Sequence, residues 1–220
     1  MSELAQRLQT HGLYLRGSTA LHQQEIEDYA FAGDEPVVTL VGNIGSSYWP
    51  HFSRSVEYRD GRENPLDRWS RRVADEICRD LPLRPLFPFA GPPYYPFLQW
   101  AERAEALSQS PLGLMIHADF GLWHSYRFAL LGAQQVSPPV PAPSPCLTCA
   151  GQPCLHSCPV NAFDHSGYAV DACASFLKHS PQAECHSHGC MARYNCPVAR
   201  EHRYEDEQSQ FHLRAFLADR

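Results

Sequence analysis

Eight of the nine cysteines in this 220-residue chain fall between Cys146 and Cys196. Cys146, Cys149, Cys154 and Cys158 are spaced C-x2-C-x4-C-x3-C, with Pro159 immediately after. Cys173, Cys185 and Cys190 follow at wider intervals, and Cys196 is again followed by a proline, Pro197. Crowded thiols serve as disulfides, nucleophiles or metal ligands. The opening residues, MSELAQRLQTHGLYLRG, lack the basic start and apolar stretch of a secretory signal, so a cytoplasmic location is expected. Thiols stay reduced there, and metal ligation becomes the first reading of the set.

The first four cysteines follow the bacterial ferredoxin run C-x2-C-x2-C-x3-C-P, with two extra residues in the middle gap. Val160-Asn-Ala-Phe163 continues it in the ferredoxin manner, and Cys196-Pro197 repeats the closing Cys-Pro. Two [4Fe–4S] clusters are therefore expected. A tight loop can offer three thiolates to one cage, but the far corner must be reached from a distant part of the chain. This assigns Cys146, Cys149, Cys154 and Cys196 to one cluster and Cys158, Cys173, Cys185 and Cys190 to the other. The crossed pattern keeps the two clusters close, as electron transfer requires. Structural zinc, with His156, His186 and His188 nearby, and a single cluster with four spare cysteines stay open as lesser readings. Cys78, beside Ile77, reads as a small core residue.

The elements that must carry this set divide the chain. Val136 to Pro145 holds five prolines in ten residues, an extended connector. The domains are accordingly expected at 1–135, a mixed helix-and-strand layer, and 146–220, the cysteine region with its tail, joined by 136–145. Within the first, Leu4–Leu8 begins a helix, and Leu13–Leu21 and Val37–Val41 read as strands. Asn64-Pro65 starts a helix, with Asn as cap and Pro in the first turn. Leu66, Trp69, Val73, Ile77 and Leu81 form its apolar face. Tyr94–Leu107 reads as another helix. Leu112–His117 and Trp123–Leu131 read as strands around the turn Ala118–Gly121. The fold class expected is α+β.

Composition narrows the function. At 44% hydrophobic and 19% charged residues the chain can build a core. A net charge of −6 argues against a duplex nucleic-acid partner. No apolar run spans a membrane. The loop Gly42-Asn-Ile-Gly-Ser-Ser47 after a strand reads as a plain turn in preference to a flavin-phosphate cradle.

With these residues placed, Cys146 to Pro197 resembles the tandem-cluster segment of epoxyqueuosine reductases and reductive dehalogenases. There the segment follows a nitroreductase-like domain that binds cobalamin. Asp171-Ala-Cys-Ala-Ser-Phe-Leu177 is similar to that family's helix bearing a lone cluster ligand. His117-Ala-Asp-Phe-Gly-Leu-Trp-His-Ser-Tyr-Arg127 is similar to a segment of the cobalamin-processing proteins of type C methylmalonic aciduria. Gly91–Phe97 and Tyr204–Phe211 resemble them more weakly. One departure stands out: Cys185-x4-Cys190 replaces a C-x2-C pair, and Arg193 stands in place of another cysteine.

The resemblance implies a nitroreductase-like α/β domain before a small ferredoxin-like one. It implies a cobalamin wall of His117, Phe120, Trp123, Tyr126 and Arg127; read from the residues alone, the same five could equally be core packing. The expected function is an iron–sulfur oxidoreductase passing electrons through two clusters to a corrinoid or other small-molecule substrate. A ferredoxin-like electron carrier without its own substrate is the alternative. The expected partner is an electron donor such as a flavodoxin or ferredoxin reductase, with neither duplex nucleic acid nor membrane.

Overall fold

The computed structural model describes residues 2–31, 36–132, 142–164, 167–218 and 220. In chain order its first elements are α1 (Glu3–Gln9), β1 (Tyr14–Ala20), α2 (Gln23–Asp28), β2 (Val37–Ile44), α3 (Trp49–Phe52) and α4 (Val56–Arg59). These are followed by α5 (Pro65–Cys78), β3 (Arg84–Leu86), α6 (Phe97–Ala104), β4 (Leu107–Gln109), β5 (Met115–His117) and β6 (His124–Leu131). The cysteine region adds α7 (Pro153–His156), β7 (Phe163–Asp164), β8 (Gly167–Tyr168), α8 (Val170–His179), α9 (Cys185–His188), α10 (Met191–Tyr194) and α11 (Asp206–Ala218). Helices and strands are mixed, as the α+β expectation requires.

The chain forms two compact units, and their boundary differs from a cut at the proline-rich connector. One unit takes residues 1–106 and 124–141; the other takes 107–123 and 142–220. Residues 107–123 thus leave the first expected domain and pack with the cysteines. Of the connector, residues 136–141 lie outside the described residues, and Pro145 already begins a short 3-10 turn, Pro145–Thr148.

The first unit is built on an antiparallel sheet ordered β1-β2-β6-β3. The β-branched run Val37–Val41 makes β2 the central strand, buried from Val38 to Asn43. In α5, Leu66, Trp69, Val73 and Ile77 are all buried, as their spacing predicts. Trp69 packs on Tyr48 and Phe52 at ring separations of 5.7 and 5.8 Å. Cys78 is buried in this core, and burial pushes its thiol up to about 11. The helix does start at Pro65, but Asn64 is left-handed (φ 50°) and makes no side-chain cap. Leu81 lies past the helix end.

The expected helix 94–107 shrinks to α6. It stops at Ala104 because Glu105 is extended (φ −136°, ψ 161°) and turns its carboxylate inward. There Arg16 grips it with Nε and Nη2 at 2.7 and 2.9 Å, and the Tyr126 hydroxyl donates to it as well. Arg16 Nη1 also donates to the Asn43 carbonyl at 3.0 Å. Gly17 lets α6 approach β1 closely, since a Cβ there would strike the Ala104 backbone.

The loop after β2 carries no open phosphate cradle. Asn43 is fully buried, donates to the Gly45 carbonyl at 2.7 Å and accepts from Ser125 at 2.6 Å. The turn is closed by the Ile44 amide donating to the Ser47 hydroxyl at 3.3 Å and the Ser47 amide donating to the Ile44 carbonyl at 3.2 Å.

In the second unit, β5 pairs with β4 instead of with β6. The turn between β5 and β6 is closed by the His117–Gly121 bridge. Gly121 is left-handed (φ 57°), and a Cβ there would come within 2.6 Å of the Val198 carbonyl oxygen. That close approach brings the 117–123 turn onto the chain just past Cys196.

Candidate metal centres

The eight cysteines lie on short elements or, for Cys149, Cys158 and Cys196, in the coil beside them. Cys146 sits in the 3-10 turn, where the Ser144 hydroxyl accepts from its amide at 3.3 Å. Cys154 is in α7, whose entry residue Gln152 is left-handed (φ 37°) and whose first turn holds Pro153. Cys173 is in α8, Cys185 opens α9, and Cys190 caps α10. Such short helices add little stability of their own, so their ends are set by what they pack against.

Cys146, Cys149, Cys154 and Cys196 line one crevice of about 20 Å³. Its apolar wall includes Leu112, Ile116 and Leu122 from the 107–123 segment. Cys158, Cys173, Cys185 and Cys190 line a second, roomier cavity of about 210 Å³, with Tyr168, Phe176, Leu177 and Met191. Four cysteines thus line each of two separate cavities. Among the described residues, no three His, Cys, Asp or Glu side chains converge tightly enough to chelate one ion. The thiols surround spaces instead, a spread that suits a cage held at its corners. In the narrow crevice they would have to rotate outward to admit one.

Burial pushes up the thiols of Cys146, Cys154, Cys185, Cys190 and Cys196, and like-charged sulfurs of the same set add to the rise. Cys190 is exposed as a residue, yet its sulfur faces inward and is desolvated. Backbone amides oppose the rise. Those of Leu155, Met191, Ala192, Arg193 and Val198 favour the thiolates of Cys154, Cys185, Cys190 and Cys196. The Ala162 amide donates to Cys158 Sγ at 3.3 Å. Amides aimed at sulfur stabilise metal-bound thiolates and tune what they bind. Each site also offers four thiol donors with no carboxylate in its lining. The residues therefore fit two iron–sulfur clusters. His186 bonds the Leu177 carbonyl oxygen at 3.1 Å, His188 pairs with Asp206 at 2.8 Å, and His156 is exposed.

Two lining residues add chemistry. The Tyr168 hydroxyl hydrogen-bonds the Cys173 sulfur; burial, then that bond, pushes its phenol up. Sequence spacing gave no signal for it. Arg193, flagged by its departure from a cysteine position, lines the same cavity. Its guanidinium lies 4.9 Å from the Trp123 ring centre and 4.4 Å from that of Tyr204, and Nη2 donates to the Leu122 carbonyl.

The five expected cobalamin-wall residues are divided between the two units. His117 stacks on Phe120 at 4.4 Å, and its Nδ1 accepts from the Asp119 amide at 3.0 Å. Trp123 is buried against Tyr204 at 5.6 Å. Tyr126 serves the Arg16–Glu105 network, and the Arg127 Nε donates to the Tyr126 carbonyl at 3.1 Å.

No family model matches the chain, and no curated protein does. Solved structures do, and they are of one class, reductases. They are epoxyqueuosine reductases. One, solved with a tRNA-Tyr epoxyqueuosine-modified tRNA stem loop, is 15% identical with a TM-score of 0.52, covering 94% of this chain and 67% of its own. Another, from Bacillus subtilis with its catalytic loop swung out of the active site, is 16% identical with a TM-score of 0.50, covering 91% and 65%. The likeness shows a shared fold, and this chain spans about two thirds of those proteins. It corrects one expectation. Net negative charge was read as arguing against duplex nucleic acid, and the family resemblance as pointing to a small-molecule or corrinoid substrate. A protein of this fold holds an RNA stem loop. Net charge averages over the whole surface, whereas binding answers to the local field. No helix among the described residues is long and apolar enough to cross a membrane.

Proposed function

We propose that this protein is an iron–sulfur reductase that holds two [4Fe–4S] clusters and delivers electrons to a modified nucleoside of a structured RNA. The observation that carries it is the sorting of eight cysteines into two four-thiol cavities within a fold shared with epoxyqueuosine reductases. Bound clusters would supply one-electron storage and transfer. The chain's own work is to hold, space and shield. Cys146, Cys149, Cys154 and Cys196 hold one cluster, and Cys158, Cys173, Cys185 and Cys190 the other. Cys158 lies four positions after Cys154, so their Cα atoms are at most about 14 Å apart. That short link keeps the two sites within electron-transfer range. Leu112, Ile116 and Leu122 keep water from the first site, and Phe176, Leu177 and Met191 line the second.

The test is anaerobic reconstitution followed by iron counting, paramagnetic resonance and assay on an epoxyqueuosine-containing tRNA stem loop with dithionite. About eight iron atoms per chain, stem-loop binding and loss of the epoxide are the expected results. Colourless, zinc-loaded protein overturns the reading at the clusters. Brown protein that neither binds nor reduces the RNA overturns it at the substrate and leaves an electron carrier.

A further inference from the structure

We propose that Arg193 sets the reduction potential of the cluster held by Cys158, Cys173, Cys185 and Cys190, a role that rests on reading those four thiols as its ligands. Arg193 lines the same cavity as the four cysteines. It is fixed there from three directions: the Leu122 carbonyl accepts from Nη2, and the faces of Trp123 and Tyr204 flank it at 4.9 and 4.4 Å. Its Nε is buried without a hydrogen-bond partner among the described residues. Carbonyl and ring faces orient a cation without cancelling its charge, as a carboxylate would. None of the cavity's other lining residues is a carboxylate. His188 is turned to Asp206 at 2.8 Å, and the Tyr168 hydroxyl is committed to Cys173.

A cubane bound by four thiolates is a net anion that gains one more negative charge on reduction. An oriented, poorly solvated cation beside it favours the reduced form, and net charge near the cluster is among the terms that fix its potential. The first site has its own cations, Arg200 and Arg203, which act on Cys196. Arg193 lines the second cavity and not the first crevice, so it should act chiefly on the second cluster. The rival role is mechanical, a tie holding the 117–123 turn through Leu122.

Charge and shape are separated by Arg193→Gln, Arg193→Met and Arg193→Lys. Lysine keeps the charge but loses the planar fork and the ring stacking. Each reconstituted protein is titrated anaerobically with mediators and followed by paramagnetic resonance. Signals are assigned to sites with Cys149→Ser and Cys173→Ser. The expected result is a lowered midpoint for the second cluster in the two neutral variants, a midpoint near wild type with lysine, and a first cluster unmoved throughout. Equal shifts in all three variants, no shift in the neutral ones, or movement of both clusters together overturns the proposal. Loss of the second cluster from both neutral variants also overturns it, in favour of the mechanical role. Wild-type protein showing fewer than two reductive steps fails earlier and on different grounds, by removing the two-cluster reading itself.

Discussion

At the scale of single residues, the chemistry depends on which sulfurs face which space. Cys196 and Cys149 are far apart in sequence but line one crevice, while Cys173 lines the other. Cys196→Ser and Cys149→Ser should therefore damage the same paramagnetic signal and leave the one that Cys173→Ser removes. Reduced spectra of the three single mutants check this; a Cys196→Ser spectrum matching Cys173→Ser would refute the grouping. The sorting was legible because the ferredoxin spacing carries a geometric rule: a short loop cannot reach the far corner of a cage. What the spacing could not carry was the lining. Tyr168 reaches Cys173 only through the pairing of β7 with β8, two-residue strands too short to leave a pattern.

At the scale of elements, the strongest periodicity gave the most faithful reading. The apolar face of α5 is buried at Leu66, Trp69, Val73 and Ile77, because a core-facing stripe needs nothing beyond its own spacing. The cap at Asn64 was misjudged, since a left-handed residue before Pro65 sets the start instead of a side-chain hydrogen bond. The end of α6 was misjudged for a tertiary reason. Glu105 leaves the helix to meet Arg16 across 89 positions of sequence. The side chains of this pair are only 2% and 9% exposed, so either partner alone is a buried, unmatched charge. Glu105→Gln should cost about 3–5 kcal/mol in urea unfolding. Arg16→Met with Glu105→Leu should recover much of that loss. A single mutant as stable as wild type would show that the pair does not hold α6 to β1.

At the scale of the whole molecule, the two units are interleaved. Residues 107–123 belong with the cysteines, and the chain then returns through β6 to finish the first sheet. The proline-rich composition of residues 136–145 marks an extended stretch but does not say which unit the residues before it pack with. A fragment beginning at residue 142 would lack Leu112, Ile116 and Leu122, the apolar wall of the first crevice. It should keep the second cluster and fail to hold the first, retaining about half the iron. Iron counting on fragments starting at 142 and at 107 checks this; equal iron in both would mean the wall is dispensable. The interleaving also orders events on the ribosome. The wall of the first crevice is synthesised before any of its four sulfurs, and Cys196 is the last of the four to emerge. A nascent chain can complete this site only after Cys196 has left the exit tunnel, so a cluster held by all four sulfurs cannot form there any earlier.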